Sequence, residues 1–460
     1  MNTLKPEQIK QVCDLKFEVE RLGEATLVSP LVEAGGVRFV DDGDRVSFFA
    51  NTTNFDTVKA NGWRLPSFVQ AGPRPQIFHD PSWTRAAIVT CGGLCPGLND
   101  VIKALVNTLY YNYGVDNIFG IQYGYRGLIP GFKHDPVILN PDVVDTIHEK
   151  GGTMLGSSRG YQEPEEIVRF LDRQNINVLF TIGGDGTQRG TRDIVEIIRK
   201  KRLSINVIGI PKTIDNDLNF TDRTFGFETA VQAAAPVIRC AHEEATGAYN
   251  GIGLVKLMGR DSGFIAAHAC LANSVVNFCL IPEVTFELEG ENGLLESMER
   301  RLQAKQHAVI VVAEGAGQDL MTKTEVRKDA SGNILHDDIG LFLKQRLLDH
   351  FKAKKIECSL KYFDPSYMIR SVVANSTDAI FCLHLAQNAV HAAMAGMTNV
   401  IIGYWHGQFT YVPVELAVMQ RRKVDPNGQL WQGVMQTTRQ GEYLKMGPAI
   451  DLDQCIGGNY

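Results

Sequence analysis

The stretch "NVLFTIGGDGTQRGTRDIVEIIRKKR", residues 177–202, contains the pattern that decides the fold. It begins with an apolar run typical of a buried strand, continues through a glycine-rich turn, and ends with apolar residues at helical spacing. A strand that leads through a short turn into a helix is the repeating unit of a parallel sheet covered by helices. The turn also contains one acid, Asp185, whose place among glycines needs a chemical explanation.

The same alternation continues on both sides of this stretch. Strand-like runs such as "AAIVT" (86–90), "INVIGIPK" (205–212) and "HAVIVVAEG" (307–315) alternate with helix-like segments. The pattern predicts an α/β fold of two doubly wound, Rossmann-like domains with parallel-rich sheets. Residues 1–84 do not show it, and they are predicted to form an N-terminal extension that packs on the body or on a neighbouring subunit.

The composition is that of a globular protein. The chain has 460 residues, 44% hydrophobic and 21% charged, with a net charge of −6, which argues against nucleic acid as a partner. Nine cysteines without a C-x-x-C pair predict reduced thiols. The N-terminal residues resemble neither a signal nor a transit peptide, and no apolar run is long enough to cross a membrane, so we expect a cytoplasmic enzyme.

Three loops at predicted strand ends are candidate ligand sites: residues 91–100 ("CGGLCPGLND"), 183–190 ("GGDGTQRG") and 211–217 ("PKTIDND"). The glycines of the first two let backbone N–H groups approach phosphate, and the second loop is predicted to lead into a helix after Gln188. A carboxylate at Asp185 beside phosphate needs a cation, and Mg²⁺ fits because it binds few carboxylates together with substrate phosphates. An Asx turn at Asp185 is the structural alternative.

The third loop places two carboxylates directly after a strand. Asp215 is a candidate to accept a proton from an attacking hydroxyl, while Asp217 helps to orient a metal or the loop. Lys212 and Thr213 add a cation and a hydroxyl for a transferring phosphoryl group. A solvated acidic turn is the alternative interpretation.

Arginines at other strand ends complete a hypothesis of phosphoryl transfer. Arg159, Arg260 and Arg370 each lie beside small or apolar residues, and a guanidinium binds phosphate in a bidentate manner. Any one of them alone is more typical of a surface or ion-paired arginine.

Taken in order, nine segments of the chain resemble motifs of the phosphofructokinase family, which phosphorylates fructose 6-phosphate at O1. The segments are "TCGGLCPGLND" (90–100), "GGTMLGSSRG" (151–160), "IGGDGTQRG" (182–190), "IGIPKTIDND" (208–217), "FGFETAV" (225–231), "GIGLVKLMGRDSGF" (251–264), "IPEVTFEL" (281–288), "VAEGAGQDL" (312–320) and "DPSYMIRSVVANSTDA" (364–379). The sequences of these segments are most similar to the plant-and-protist branch of ATP-dependent enzymes, which is related to the pyrophosphate-dependent enzymes.

The resemblance implies a domain organisation and an assembly. A nucleotide-binding domain would comprise residues 85–226 with about 371–421, and a fructose 6-phosphate-binding domain residues 227–370 with about 422–460. The enzyme would be a cytoplasmic homotetramer in glycolysis, with ATP as donor, Mg²⁺ as cofactor and regulation by a metabolite.

The resemblance also assigns roles to individual residues. The catalytic residues would be Asp215 as base, with Lys212 and Asp217. ATP would be bound by Gly92, Tyr125, Arg159, Gly160, Gly184, Asp185, Gly186 and Thr187, with Asp185 holding Mg²⁺. Fructose 6-phosphate would be bound by Thr213, Ile214, Asp215, Met258, Gly259, Arg260, Glu314, Tyr367, Met368, Ile369 and Arg370, with Lys361 approaching from a neighbouring subunit.

Donor choice rests on one position, Gly186, which favours ATP, while Lys212 points the other way. Pyrophosphate-dependent relatives have a second Asp where this chain has Gly186, and a side chain there would crowd and repel the α-phosphate of ATP. Lys212 favours pyrophosphate, because bacterial ATP enzymes have glycine at that position. The combination is found in the ATP-dependent plant-and-protist enzymes.

The chain departs from the bacterial pattern at several positions. Gly251 and Tyr367 replace an arginine and a histidine, as the related branch predicts, and what takes over from that arginine stays open. Lys103 and Asn107 replace two effector-binding arginines, so a bacterial-type effector site is not expected.

Three alternatives stay open: a pyrophosphate-dependent phosphofructokinase, a non-catalytic regulatory subunit, and another phosphotransferase with a "GGDGT" loop. The presence of Asp185, Asp215 and Asp217 argues against the silent subunit, and the third leaves "PKTIDND" unexplained.

Overall fold

The computed structural model describes residues 4–321, 336–442 and 444–449. Within these ranges the chain forms a large sheet and a small sheet, each with helices packed on it. The α-helices are Pro6–Cys13, Pro30–Ala34, Thr52–Ala60, Leu98–Asn107, Pro141–Val144, Pro164–Arg173, Asp185–Lys201, Phe227–Thr246, Phe264–Leu271, Leu294–Lys305, Ile339–Ala353, Ser366–Ile369, Ser376–Met394, Val414–Ala417 and Gln429–Thr438.

The large sheet has nine strands in the described part of the chain. Their spatial order is Arg45–Ser47, Ser67–Gln70, Gln408–Pro413, Val400–Trp405, Asn206–Pro211, Val178–Gly183, Arg85–Thr90, Asn117–Ile121 and Val137–Leu139. The five strands from Val400–Trp405 to Asn117–Ile121 are parallel, and the strands at both edges are antiparallel. This is the parallel-rich, doubly wound sheet that the alternation predicts.

The central strands are buried on both faces. Leu179 and Val207 share an apolar cluster with Ile194 of the helix Asp185–Lys201. Phe180 faces the opposite way and shares a second cluster with Leu385 of the helix Ser376–Met394. Because side chains alternate along a strand, continuous apolar runs are needed wherever helices cover both faces of a sheet.

The small sheet has four parallel strands in the order Phe278–Leu280, His307–Ala313, Gly251–Leu257 and Ser359–Phe363. Short two-stranded pairs add to the structure: Glu20–Arg21 with Met397–Thr398, Leu27–Val28 with Gln76–Ile77, and Val284–Phe286 with Met446–Ala449. The carboxyl ends of strands from both sheets face one cleft, and this arrangement positions the site.

The N-terminal extension packs on the body of its own chain. Its strands Arg45–Ser47 and Ser67–Gln70 continue the large sheet, with Gln70 paired to Thr410. Parts of the predicted domains, at residues 1–3, 322–335, 443 and 450–460, lie outside the described residues. No helix among those described is long and apolar enough to span a lipid bilayer.

Candidate active site

Loops from both sheets line one cleft of about 480 Å³. Sixteen of the predicted site residues line it: Gly92, Tyr125, Arg159, Gly160, Gly184, Asp185, Gly186, Thr187, Lys212, Thr213, Ile214, Asp215, Asp217, Met258, Arg260 and Arg370. The structure therefore brings the two acidic loops together with the arginines, at the carboxyl ends of the strands.

The acid loop is the first turn of a helix. The helix begins at Asp185 and not after Gln188, because the amides of Thr187 and Gln188 donate to the Gly184 carbonyl at 2.9 and 3.0 Å. The first N–H groups of a helix have no intrahelical acceptor, so this end offers donors and a positive dipole end to an anion. The side chain of Asp185 lies at the same place.

Gly183 and Gly186 have different roles in this loop. A Cβ at Gly183 would overlap the hydroxyl of Thr187, so glycine is needed there for the turn to close. A Cβ at Gly186 would meet no atom within 4 Å, because this position opens into the cleft. Tyr125 packs behind the turn against Gly190 and donates from its hydroxyl to the Thr187 carbonyl at 2.9 Å.

Cations converge on the first glycine loop. The buried Lys212 ammonium donates to the Gly93 carbonyl at 2.8 Å, and burial lowers its pKa. A Cβ at Gly93 would lie 3.3 Å from Arg159 Nη2 and 3.4 Å from Arg370 Nη1. Burial and then the charge of Arg159 lower the pKa of Arg370. Lys212, Arg159 and Arg370 therefore place three positive charges close to one another and to the Gly93 backbone. This arrangement favours binding of a polyanionic ligand.

Asp215 has the features of a proton acceptor. Its backbone N–H donates to Thr213 Oγ1 at 3.1 Å, and that hydroxyl donates to Asp217 Oδ1 at 3.1 Å, which fixes the loop. Among the described residues, no hydrogen-bond partner reaches the buried Oδ1 of Asp215. Burial raises the pKa of Asp215 well above its usual range, and the charges of Asp217 and Glu314 raise it further. A carboxyl with a free acceptor and raised basicity suits general-base chemistry.

The small sheet contributes Met258 and Arg260 to the cleft lining, whereas the predicted residues Gly259 and Glu314 are not among the lining residues. The amide of Glu314 donates to the Leu257 carbonyl at 2.9 Å, and burial raises the pKa of its carboxyl. Gly259 has φ +127°, a conformation that only glycine adopts easily, and a Cβ at Gly315 would overlap the Arg260 carbonyl. The loop that carries Arg260 is therefore packed closely against the segment that carries Glu314.

Some predicted residues lie away from the cleft wall. Tyr367 and Met368 are exposed, and the Arg370 guanidinium stacks on the Tyr367 ring at 4.6 Å. The Ile369 side chain is buried in the core. Lys361 is exposed on the edge strand Ser359–Phe363 and is not among the residues that line the cleft.

The sequence reasoning missed two arginines that contact Asp185. Arg189 Nε lies 3.1 Å from Asp185 Oδ2, and Arg421 Nη2 lies 3.8 Å from the same oxygen. Arg421 Nη1 also lies 3.7 Å from Asp217 Oδ2. The i,i+4 spacing of Asp185 and Arg189 was a signal for the first pair. A run of three cations at 421–423 is the only local signal for Arg421.

The carboxylates fit a magnesium ion that arrives with its ligand. Among the described residues, no group of three or more His, Cys, Asp or Glu could hold a metal by itself. Asp185 and Asp217 nevertheless line the cleft and share one cation, Arg421. Because Mg²⁺ commonly binds one or two carboxylates together with substrate phosphates, this donor set suits it.

Comparison with known proteins gives concordant matches. The family model described as Phosphofructokinase matches residues 85–393. The chain is 50% identical over 442 residues to an ATP-dependent 6-phosphofructokinase of Borreliella burgdorferi, covering 94% of this chain and 98% of the relative. It is 48% identical over 419 residues to one of Entamoeba histolytica, covering 90% and 93%. An Arabidopsis thaliana enzyme, ATP-dependent 6-phosphofructokinase 7, is 49% identical over 389 residues, covering 84% and 80%.

A solved structure shows the same fold. The pyrophosphate-dependent phosphofructokinase from Marinobacter aquaeolei matches with a TM-score of 0.62 at 19% identity, covering 82% of this chain and 95% of that one.

Proposed function

Since the chain belongs to the phosphofructokinase family, we propose that it transfers the γ-phosphoryl group of ATP to O1 of fructose 6-phosphate. The products are fructose 1,6-bisphosphate and ADP. The observation that carries this proposal is that Asp185 and Asp215 line one cleft. Asp185 lies in a turn whose free backbone N–H groups can bind phosphate. Asp215 has a carboxylate oxygen with no hydrogen-bond partner among the described residues.

On the donor side, the chain's own groups bind and orient the polyphosphate. The turn from Gly184 to Thr187 offers backbone N–H groups, and Gly92, Arg159 and Gly160 line the same cleft. The open space at Gly186 supports ATP, whose α-phosphate needs room there. Tyr125 supports the turn from behind.

On the acceptor side, Asp215 takes the proton of the O1 hydroxyl as that oxygen attacks the γ-phosphorus. The new O–P bond forms while the bond to the β,γ-bridging oxygen breaks, and ADP leaves with that electron pair. Asp217 holds the loop through Thr213, and the Lys212 ammonium is placed to stabilise charge on the transferring group.

Asp185 would hold Mg²⁺, with Asp217 nearby. A bound Mg²⁺ supplies charge neutralisation on the donor phosphates.

The fructose 6-phosphate side is proposed from the second sheet and the segment around Arg370. Ile214, Met258, Gly259, Arg260, Glu314, Tyr367, Met368, Ile369 and Arg370 would form it, with Lys361 supplied by a neighbouring subunit of a homotetramer. The exposure of Lys361 on an edge strand is consistent with that role. The domains proposed are residues 85–226 with about 371–421 and residues 227–370 with about 422–460, in a cytoplasmic enzyme of glycolysis under metabolite control.

One assay tests donor and acceptor together. Purified protein is incubated with fructose 6-phosphate, Mg²⁺ and either ATP or pyrophosphate, and fructose 1,6-bisphosphate is measured by ³¹P NMR. We expect turnover with ATP and little with pyrophosphate, and none with ATP in Asp215→Ser. Turnover with pyrophosphate alone would favour the alternative that Lys212 suggests, and no product with either donor would contradict the proposal.

A further inference from the structure

We propose that Arg421 is a positioning residue that joins the donor side of the cleft to its acceptor side. Resting on the proposed function, this inference assigns to Arg421 the task of holding Asp185 and Asp217 against the loop that carries Arg260. It also predicts that Arg421 serves as the counter-cation of these carboxylates while no nucleotide is bound.

The contacts of the guanidinium carry the inference. Its Nη2 lies 3.8 Å from Asp185 Oδ2 and its Nη1 lies 3.7 Å from Asp217 Oδ2. The same Nη1 donates to Asp261 Oδ2, and Asp261 directly follows Arg260 in the loop of the second sheet. One side chain thus contacts an acid of the phosphate turn, an acid of the loop that carries Asp215 and an acid of the loop that carries Arg260.

The backbone around Arg421 is tied to both sides, so its side chain is aimed by the fold. The amide of Arg422 donates to the Asp217 carbonyl at 2.8 Å. The amide of Val424 donates to the buried Glu283 at 2.9 Å, and Glu283 also accepts from the Gly263 amide at 3.0 Å. Hydrogen bonds from backbone amides to a buried carboxylate are strong. Through Glu283, the segment that carries Arg421 is therefore anchored to the start of the helix that follows the Arg260 loop.

The charge balance gives a consequence that can be measured without turnover. With Arg421 present, one positive charge lies beside Asp185, Asp217 and Asp261, and Arg189 adds a second beside Asp185. Removing Arg421 leaves these three acids with less positive charge, so their attraction for a free divalent cation rises. A divalent cation then no longer depends on nucleotide phosphates to bind there.

The test uses the nucleotide-free full chain and Mn²⁺ alone, detected by electron paramagnetic resonance. We expect Arg421→Met to bind Mn²⁺ about tenfold more tightly than the wild type, because an opposing charge is lost. Arg421→Lys, which keeps the charge, should bind Mn²⁺ as the wild type does. Arg199→Met is the matched control, since it removes a paired arginine at an exposed site. Wild-type Mn²⁺ affinity in Arg421→Met would overturn the proposal.

Steady-state kinetics test the positioning role. A lysine has a single nitrogen and cannot span the acids as the separated Nη1 and Nη2 atoms of the planar guanidinium do, so Arg421→Met and Arg421→Lys should both lower kcat at least about tenfold. Wild-type kcat in Arg421→Lys would overturn the positioning role.

A second variant tests the acceptor side by itself, and it keeps the proposal testable if Arg421→Met does not fold. Asp261→Asn removes the ion pair between Arg421 and the loop that carries Arg260, so KM for fructose 6-phosphate should rise about tenfold. An unchanged KM would overturn the link. If the wild type shows no kinase activity, the proposed function fails, whereas the Mn²⁺ measurement still decides the role of Arg421 as counter-cation.

Discussion

Replacing Gly186 by Asp tests how the cleft selects its phosphoryl donor. A Cβ at this position meets no atom within 4 Å, and the position is in the first turn of the helix Asp185–Lys201, so the side chain fits without moving the chain. Removing a helical glycine gains about 0.5–1 kcal/mol, and an acid in the first turn gains about 0.3–1 kcal/mol. Repulsion from Asp185 offsets part of this, so the free energy of unfolding should stay equal or rise.

The same carboxylate should oppose ATP. At about 5 Å from a phosphate oxygen, two unit charges repel by about 1 kcal/mol in water-like surroundings and about 3 kcal/mol at an effective dielectric constant of about 20. We therefore expect kcat/KM for ATP to fall about 5- to 200-fold. Gly186→Asn is the matched control, since its side chain has the same shape as that of Asp without the charge. Its kcat/KM for ATP should therefore fall only by the steric effect of the side chain.

The assay is the initial rate at varied ATP with saturating fructose 6-phosphate, run beside thermal unfolding of each variant. The expected result is a protein at least as stable as the wild type, with the ATP rate lowest in Gly186→Asp and intermediate in Gly186→Asn. Equal rates in all three proteins would refute the reasoning that this space accommodates the α-phosphate of ATP.

Three further predictions concern the base and the turn. Asp215→Asn should lower kcat by about 10²- to 10⁴-fold while calorimetry shows retained fructose 6-phosphate binding, and near-normal kcat would exclude Asp215 as the base. Glu314→Gln removes a charge that raises the pKa of Asp215, so the pKa falls and the acidic limb of the kcat/KM profile should move to lower pH; a limb that stays in place would show that Asp215 does not set it. Gly183→Ala places a methyl group onto Thr187 and should cost about 1–3 kcal/mol of stability in urea denaturation, and an unchanged midpoint would contradict the steric argument.

The sequence was sufficient to predict where the cleft lies. Asp185 and Asp215 follow the strands Val178–Gly183 and Asn206–Pro211, which pair in parallel with Gly183 opposite Pro211. Loops that follow neighbouring parallel strands must start side by side, so two local patterns predicted one site. Continuous apolar runs predicted the buried sheet for the same local reason.

The start of the helix could not be predicted from local propensity. Gly186 and Thr187 are weak helix formers, which favours a later start. The helix nevertheless begins at Asp185, because the buried Gln188 side chain donates from Nε2 to the Gly183 carbonyl at 2.9 Å and to the Ile210 carbonyl of the neighbouring strand at 3.4 Å. This tertiary contact holds the first turn in place against propensity.

Long-range contacts account for the rest. The N-terminal strand Ser67–Gln70 pairs with Gln408–Pro413, far along the chain, and so short a strand has no distinctive sequence pattern. Arg421 and Asp217 are also far apart in the sequence, and only the folded chain brings their side chains together. Charge patterns in a sequence do not identify such partners, so the contacts of Arg421 could be found only in the folded structure.

The central claim is that Asp185 and Asp215 act on the same phosphoryl group, and a crystal structure of the complex with fructose 6-phosphate, Mg²⁺ and a non-hydrolysable ATP analogue tests it most directly. The account predicts that an Asp215 carboxylate oxygen lies within about 3 Å of the sugar O1, with the terminal phosphorus of the analogue between O1 and the cation at Asp185. A terminal phosphate bound beside Asp185 but out of reach of O1, with Asp215 turned away from the sugar, would contradict it.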